Sequence, residues 1–405
     1  MNKVCIPKLR FSGFEREWEK AKLSEKMDIF RGASPRPKGD PKYYGGTIPR
    51  LMIQDATRDG KYTIPKIDFL TDEGALKSRL LKKGSVVLSC SGTRVAIPTM
   101  LGVDACIHDG WLAFRDYKDV HEEFLYNLFV KLHERMQGEA TTGGVFNNLT
   151  TSILKDLKMG FPSFKEQQKI ATFLSSVDEK IQQLSRKKEL LEQYKKGVMQ
   201  QLFSRKMQFK DENGKDYADW EEKKLGEVCD VRDGTHDSPK YVEKGFPFIT
   251  SKNLMKDGSI DFENITFINE VDYNKVNQRS KVNINDILFG MIGTIGNPVI
   301  VRSEGFAIKN VALIKEKKDL LNLFLIHFLK GDSINQQFFQ QNTGGTQKFL
   351  SLSVIRNLMV IIPSLPEQQK IAIFLSGIDT KIENVGQEIN NMQGFKKGLL
   401  QQMFV

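Results

Sequence analysis

The 405-residue sequence is poor in cysteine: Cys5, Cys90, Cys106 and Cys229 form no CxxC pair and no framework spacing. That excludes a disulfide scaffold and fits a reducing compartment. Long apolar runs are also missing. The best candidates, Leu320–Leu329 and Leu358–Ile362, reach about half or less of the length that spans a bilayer. The opening MNKVCIPKLRF has no apolar stretch of the kind a signal peptide needs, so the expected location is cytoplasmic. No single-sign tail exists either. The net charge of +10 is spread as +6 over residues 1–160, +3 over 161–204, +1 over 205–362 and zero over 363–405. A polyanionic partner would therefore meet a patch on a folded face.

A catalytic constellation is the largest absence. GMIGTIG (Gly290–Gly296) lacks the Lys-Ser/Thr of a phosphate loop and the Rossmann spacing, and reads as a turn. Asn297-Pro298-Val299 stops short of the Asn-Pro-Pro-aromatic run of amino-methyltransferases. Asp219, Glu221 and Lys223 mimic an acidic nuclease pattern. The equivalent Glu17–Lys22 stretch precedes a Leu-rich strand start, so solvated charge is the better reading.

What the sequence does have is a duplication. PSFKEQQKIATFLSSVDEKI from Pro162 returns as PSLPEQQKIAIFLSGIDTKI from Pro363, and residues 162–204 match 363–405 at 20 of 43 positions. Upstream, EWEKAKLSEKMDIFRG (Glu17–Gly32) matches DWEEKKLGEVCDVRDG (Asp219–Gly234), and Ser85–Thr93 matches Asp286–Thr294. The chain is two copies of a divergent stretch of about 150 residues followed by a closely similar one of about 40. Across the copies Cys106 and His108 align with Ala307 and Lys309, and the other histidines (His121, His133, His236, His327) are scattered, so no metal site is expected.

The similar segment predicts a long helix. A 4-3 step selects Ile170, Leu174, Val177, Ile181, Leu184, Lys188, Leu191, Lys195, Val198 and Leu202. In the second copy it selects Ile371, Leu375, Ile378, Ile382, Val385, Ile389, Met392, Lys396, Leu399 and Met403. Such a seam predicts a coiled coil between the copies, with packing of each helix on its own domain as the plainer alternative. The divergent stretches read as mixed α and β. Strands are expected at Val86–Leu88, Ile287–Phe289 and Leu358–Ile362. Amphipathic helices are expected at Asp119–Met136 and Lys318–Asn342, with Asp119 and Asp319 as first-turn acids.

Three glycine-polar loops recur in both copies. One pairs Ser34, Arg36 and Lys38 with Thr235, His236 and Lys240. A second pairs Ser91, Thr93 and Arg94 with Thr294. The third pairs Thr142, Gly143 and Gly144 with Thr343, Gly344 and Gly345, followed by Lys348. Bared backbone N–H groups, hydroxyls and nearby cations suit phosphate contact, so these are the candidate DNA-binding residues; simple turn-making is the alternative. Trp18 and Trp220 read as core anchors.

Two divergent domains, each opened by W-E-x-x-K-L and closed by T-G-G…P-x-x-x-E-Q-x-x-I…L-S-x-x-D-x-K-I, resemble the specificity subunit of a type I restriction–modification enzyme. The resemblance implies an α/β (mixed α+β) fold. Target recognition domains would occupy 1–161 and 205–362, and long helices at 162–204 and 363–405 would pair as an antiparallel coiled coil. Each domain would read one half of a bipartite, asymmetric site on double-stranded DNA, with the helices setting the spacer. The subunit would be non-catalytic and hold no cofactor or metal itself. Two modification (methyltransferase) subunits would dock on the helices and restriction (helicase–nuclease) subunits would join, with S-adenosylmethionine, ATP and Mg on those partners. A coiled-coil adaptor or a DNA-binding scaffold without sequence specificity is the competing reading.

Overall fold

The computed structural model describes residues 6–91, 95–141, 149–293, 295–341 and 349–405. It divides into two compact units, Met1–Ser185 with Gln387–Val405, and Arg186–Gly386.

In the first unit a five-stranded sheet runs in the order Asp28–Arg31, Trp111–Arg115, Val86–Ser89, Pro98–Leu101, Tyr62–Thr63. A second sheet orders Asp68–Leu70, Tyr44–Leu51, Ala105–Ile107, Arg79–Leu81. Alternation decides which face of the central strands packs where. Val86, Leu88, Leu112 and Phe114 pack with Phe124 and Phe129 of helix Glu122–Thr141. Val87, Trp111 and Ala113 pack with Leu101 of their own sheet and with Leu51 and Ile107 of the opposing layer. Both faces are apolar because both are covered, which is why Val86–Leu88 reads as an unbroken hydrophobic run.

The second unit repeats this plan. Its sheets order Asp230–Asp233, Val311–Lys315, Ile287–Gly290, Gly296–Ile300 and Tyr241–Val242, Thr266–Ile268, Phe246–Thr250, Ala307–Lys309. Ile287, Phe289, Ala312 and Ile314 face the helical side, while Leu288, Val311 and Leu313 face the other sheet.

Helices Phe164–Phe203 and Leu365–Met403 are continuous. Each unit buries the start of one and the end of the other. Ile170, Ala171, Leu174 and Val177 share a core with Leu399, Leu400, Met403 and Phe404. Ile371, Ala372, Leu375 and Ile378 share the other with Val198, Met199 and Leu202. The pairing is antiparallel, and both packing alternatives hold at once: the outer seam residues are domain core as well as helix–helix contact. Ile181 and Ile382 sit at the edges of those cores, and Leu184 and Val385 are buried.

The duplicated E-Q-Q segment is explained here. Gln167 donates from Nε2 to the carbonyls of Asp119 and Pro162, 2.9 Å each, and accepts the His121 N–H at 2.9 Å. Gln368 does the same with Asp319, Pro363 and the Leu321 N–H, all at 2.9 Å. Each fully buried amide satisfies three backbone groups where two helices begin. The preceding glutamates anchor the tryptophans: Trp18 Nε1 donates to Glu166 at 3.3 Å and Trp220 Nε1 to Glu367 at 2.9 Å.

Three local expectations need correction. Asp119 and Asp319 are not first-turn acids. They precede their helices and offer backbone carbonyls to the glutamine clamps, and Glu122 and Glu123 fill the first turn in the first unit. Lys318–Asn342 is two helices, Asn322–Leu329 and Asp332–Gln341: the first stops before Gly331, and Asp332 opens the second with favourable charge at its N-terminus. Glu19–Lys22 is itself a strand, paired with Lys158–Phe161, and Leu23 opens a short helix rather than a strand.

Candidate nucleic-acid interface

The turns that follow strands Asp28–Arg31 and Asp230–Asp233 are held by backbone bonds to the neighbouring strand and to the opposing layer. Gly32 N–H donates to Trp111 O at 2.9 Å and Ala33 N–H to Ile107 O at 3.1 Å. In the second unit Gly234 N–H donates to Val311 O at 2.9 Å and Thr235 N–H to Ile308 O at 3.1 Å. Only glycine fits these approaches. A Cβ on Gly32 would lie 2.2 Å from His108 O, and one on Gly234 would lie 2.4 Å from Ile308 O.

The shoulders of the other two glycine-polar loops meet at the same edge. In the first unit Leu149 N–H donates to Cys90 O at 2.9 Å and Cys90 N–H to Gly110 O at 2.8 Å. In the second, Leu350 N–H donates to Met291 O at 2.8 Å. The buried Ser251 hydroxyl accepts the Met291 N–H at 3.2 Å and donates to Asn310 O at 2.9 Å. The structure thus brings together the flanks of all three loops in each copy. Thr93, Arg94, Thr142, Gly143, Gly144, Thr294, Thr343, Gly344, Gly345 and Lys348 lie outside the described residues.

Of the remaining candidates, Arg36, Lys38 and Lys240 are exposed, and Ser91 and Thr235 are half-buried. Lys240 N–H donates to Asp272 Oδ2 at 3.3 Å, and Thr235 Oγ1 accepts the Asp237 N–H at 3.1 Å. Ser34 and His236 are fixed inside polar networks. Ser34 Oγ donates to Asp109 Oδ1 at 2.6 Å and accepts from Arg50 Nη2 at 3.0 Å. Arg50 is buried, paired with Asp68 at 2.5 Å, and lies over the Tyr44 ring. His236 has Nε2 on Asp233 Oδ2 at 2.8 Å and Nδ1 on Asn310 Oδ1 at 2.7 Å. Asp233 is buried and also takes Arg279 Nη2.

Electrostatics follow burial. The Asp109 carboxyl is held below its ordinary range, chiefly by the Ser34 hydroxyl. Burial, reinforced by the Arg50 charge, pushes His108 down to about 4, so it is neutral near pH 7. Burial raises the Cys90 and Cys106 thiols, which keeps both protonated near neutral pH.

Arg50, Asp109, Asp233, Arg279 and Asn310 were not singled out by sequence. Asp233 ends the strand that leads into its loop, but the others reach theirs from distant segments, and no local pattern marks a partner 75 or 74 residues away, as in Ser34–Asp109 and His236–Asn310. Only the two-fold occurrence of the turns in the repeat hinted at them.

The sequence model for the Type I restriction modification DNA specificity domain matches residues 15–193 and again 217–393. The type I restriction enzyme MjaIX specificity subunit of Methanocaldococcus jannaschii is 26% identical, with 95% of this chain and 92% of that protein aligned. The MjaVIII specificity subunit of the same organism is 24% identical over 89% and 88%. In fold, the type I restriction–modification S subunit of M. genitalium superposes with a TM-score of 0.60 at 18% identity, covering 99% of each chain. No helix among the described residues is long and apolar enough to cross a membrane.

Proposed function

Since the chain belongs to the type I restriction–modification DNA specificity family, we propose that it is the sequence-reading subunit of such a complex. Each globular unit reads one half of a bipartite, asymmetric site on double-stranded DNA. The paired helices set the spacer and carry two modification subunits, and restriction subunits join that assembly. This subunit aims; methyl transfer and cleavage, with their S-adenosylmethionine, ATP and Mg, belong to the partners.

One observation carries the reading. Two copies of one backbone frame bring the flanks of three polar loops together at one edge and furnish those edges with different side chains. A constant frame with divergent donors and acceptors suits the readout of two different base sequences in the major groove. Polar loops with exposed Arg36, Lys38 and Lys240 supply the phosphate contacts that position it.

The test is a gel shift of the purified chain with and without its modification subunits, together with methylome sequencing of cells with and without the protein. Loss of methylation at one bipartite motif is expected when the chain is absent. A methylome that does not change, or methyl transfer by the isolated chain, would overturn the assignment.

A further inference from the structure

Asp109 and Asn310 occupy matching turns of the two units and are nearly isosteric, yet one side chain only accepts hydrogen bonds while the other also donates. Resting on the function proposed above, we infer that these two residues are specificity-determining positions, Asp109 for the half-site of the first unit and Asn310 for that of the second.

Three features converge on them. The turns are pinned by corresponding backbone bonds, Gly32 and Ala33 to Trp111 and Ile107 in one copy and Gly234 and Thr235 to Val311 and Ile308 in the other, the first turn being one residue longer. Each side chain is steered by a neighbour across the edge: Ser34 Oγ sits 2.6 Å from Asp109 Oδ1, and His236 Nδ1 sits 2.7 Å from Asn310 Oδ1. Each steering residue is in turn fixed from the interior by a buried charge, Arg50 behind Ser34 and Asp233 behind His236. A side chain restrained in this way discriminates between bases because an ill-matched partner cannot be met by swivelling away.

The chemistry then differs by unit. The ionised Asp109 carboxylate is exposed, with one oxygen committed to Ser34. It would repel phosphate and suits an exocyclic amino group, cytosine N4 or adenine N6. The Asn310 amide, half-buried in a left-handed turn (φ 54°), can accept and donate together, the combination that reads the N6/N7 edge of adenine. Ser34 and His236 are positioning residues for these readers.

The experiment uses the chain assembled with its modification subunits and a DNA library in which every base of both half-sites is randomised. Asp109→Asn and Asn310→Asp exchange the chemistry with almost no change in volume. An unchanged base preference in the half-site read by the unaltered unit serves as the check that the complex is intact. Asp109→Asn should alter base preference tenfold or more at one position of the first unit's half-site and leave the other half unchanged. Asn310→Asp should do the converse. Ser34→Ala should weaken the same discrimination as Asp109→Asn without replacing it by a new preference, a signature that mere structural damage would not give. If the wild type reads a bipartite site and both exchanges leave all preferences as they were, the inference fails while the function stands. If the wild type reads no bipartite site, both fall.

Discussion

Lys396 of the second long helix meets Asp178 of the first, Nζ to Oδ1 at 2.5 Å, and Lys195 meets Asp379 at the same distance in the other unit. Both lysines stand at positions of a seam that is otherwise apolar except at Lys188, and their side chains are mostly buried. A slip of one heptad would set Lys396 against Ala171 or Ser185, and Lys195 against Ala372 or Gly386, none of which carries charge. A polar residue in an apolar seam selects register in this way. Lys396→Ala should destabilise the first unit by about 2 kcal/mol, between the values for exposed and buried pairs. Exchanging the two charges, Asp178→Lys with Lys396→Asp, should recover most of that loss in urea unfolding of the full chain. A double variant no more stable than the single one would remove the register role.

The glutamine clamps make a sharper prediction. Removing the Gln167 or Gln368 amide leaves three backbone groups without their partner at a site closed to water. Each orphaned group costs roughly 1 kcal/mol or more, so Gln167→Ala and Gln368→Ala should each cost about 3 kcal/mol or more. Equal losses in the two units, read from denaturant midpoints, are expected because the geometry is repeated bond for bond. A loss under 1 kcal/mol in either would show that the backbone finds other partners.

The clamps also mark how far the sequence could be read. The repeat and its 3.5-residue seam were legible because periodicity is a local signal, as were strands such as Val86–Ser89 and Ile287–Gly290, whose apolar runs report burial on both faces. The role of Gln167 was not, since its partners Asp119 and His121 are joined to it only by the fold. The same holds at the candidate interface. Glycine and hydroxyl residues announced the loops, but Asp109 and Asn310 gain their meaning from residues across a sheet.

Two histidines, His327 buried and His108 half-buried, predict acid lability. Burial, with Arg50 nearby, takes His108 down to about 4, and burial with Lys195, Lys330 and Arg302 takes His327 down to about 3. Both are depressed below the unfolded value near 6.5, so the unfolded chain binds the proton first. The stability they allow is complete above pH 6.5 and declines as pH falls towards 4 and 3 respectively. Each contributes a slope of at most about 1.4 kcal/mol per pH unit, and the His108 share totals at most about 3 kcal/mol. His108→Gln and His327→Gln should each flatten the dependence between pH 6.5 and 5 by close to one proton. A slope identical to that of the parent chain would mean the histidine becomes solvated on protonation.

Charge at the loops can be separated from base reading by salt. Arg36, Lys38 and Lys240 are exposed beside the converging edges and are assigned to phosphate. Each phosphate contact contributes about 0.9 to the slope of log affinity against log salt. Replacing Arg36 and Lys38 by Ala should therefore make that slope shallower by about 1.8, and Lys240→Ala by about 0.9, with the loss equal on specific and scrambled DNA. Asp109→Asn should behave oppositely, keeping the slope and changing only which base is preferred, because an uncharged base edge releases no counterion. Filter binding of the assembled complex over a range of salt concentrations distinguishes the two. If the lysine and arginine variants keep the parent slope, the phosphate backbone runs elsewhere, and the loops that carry these cations do not lie along it.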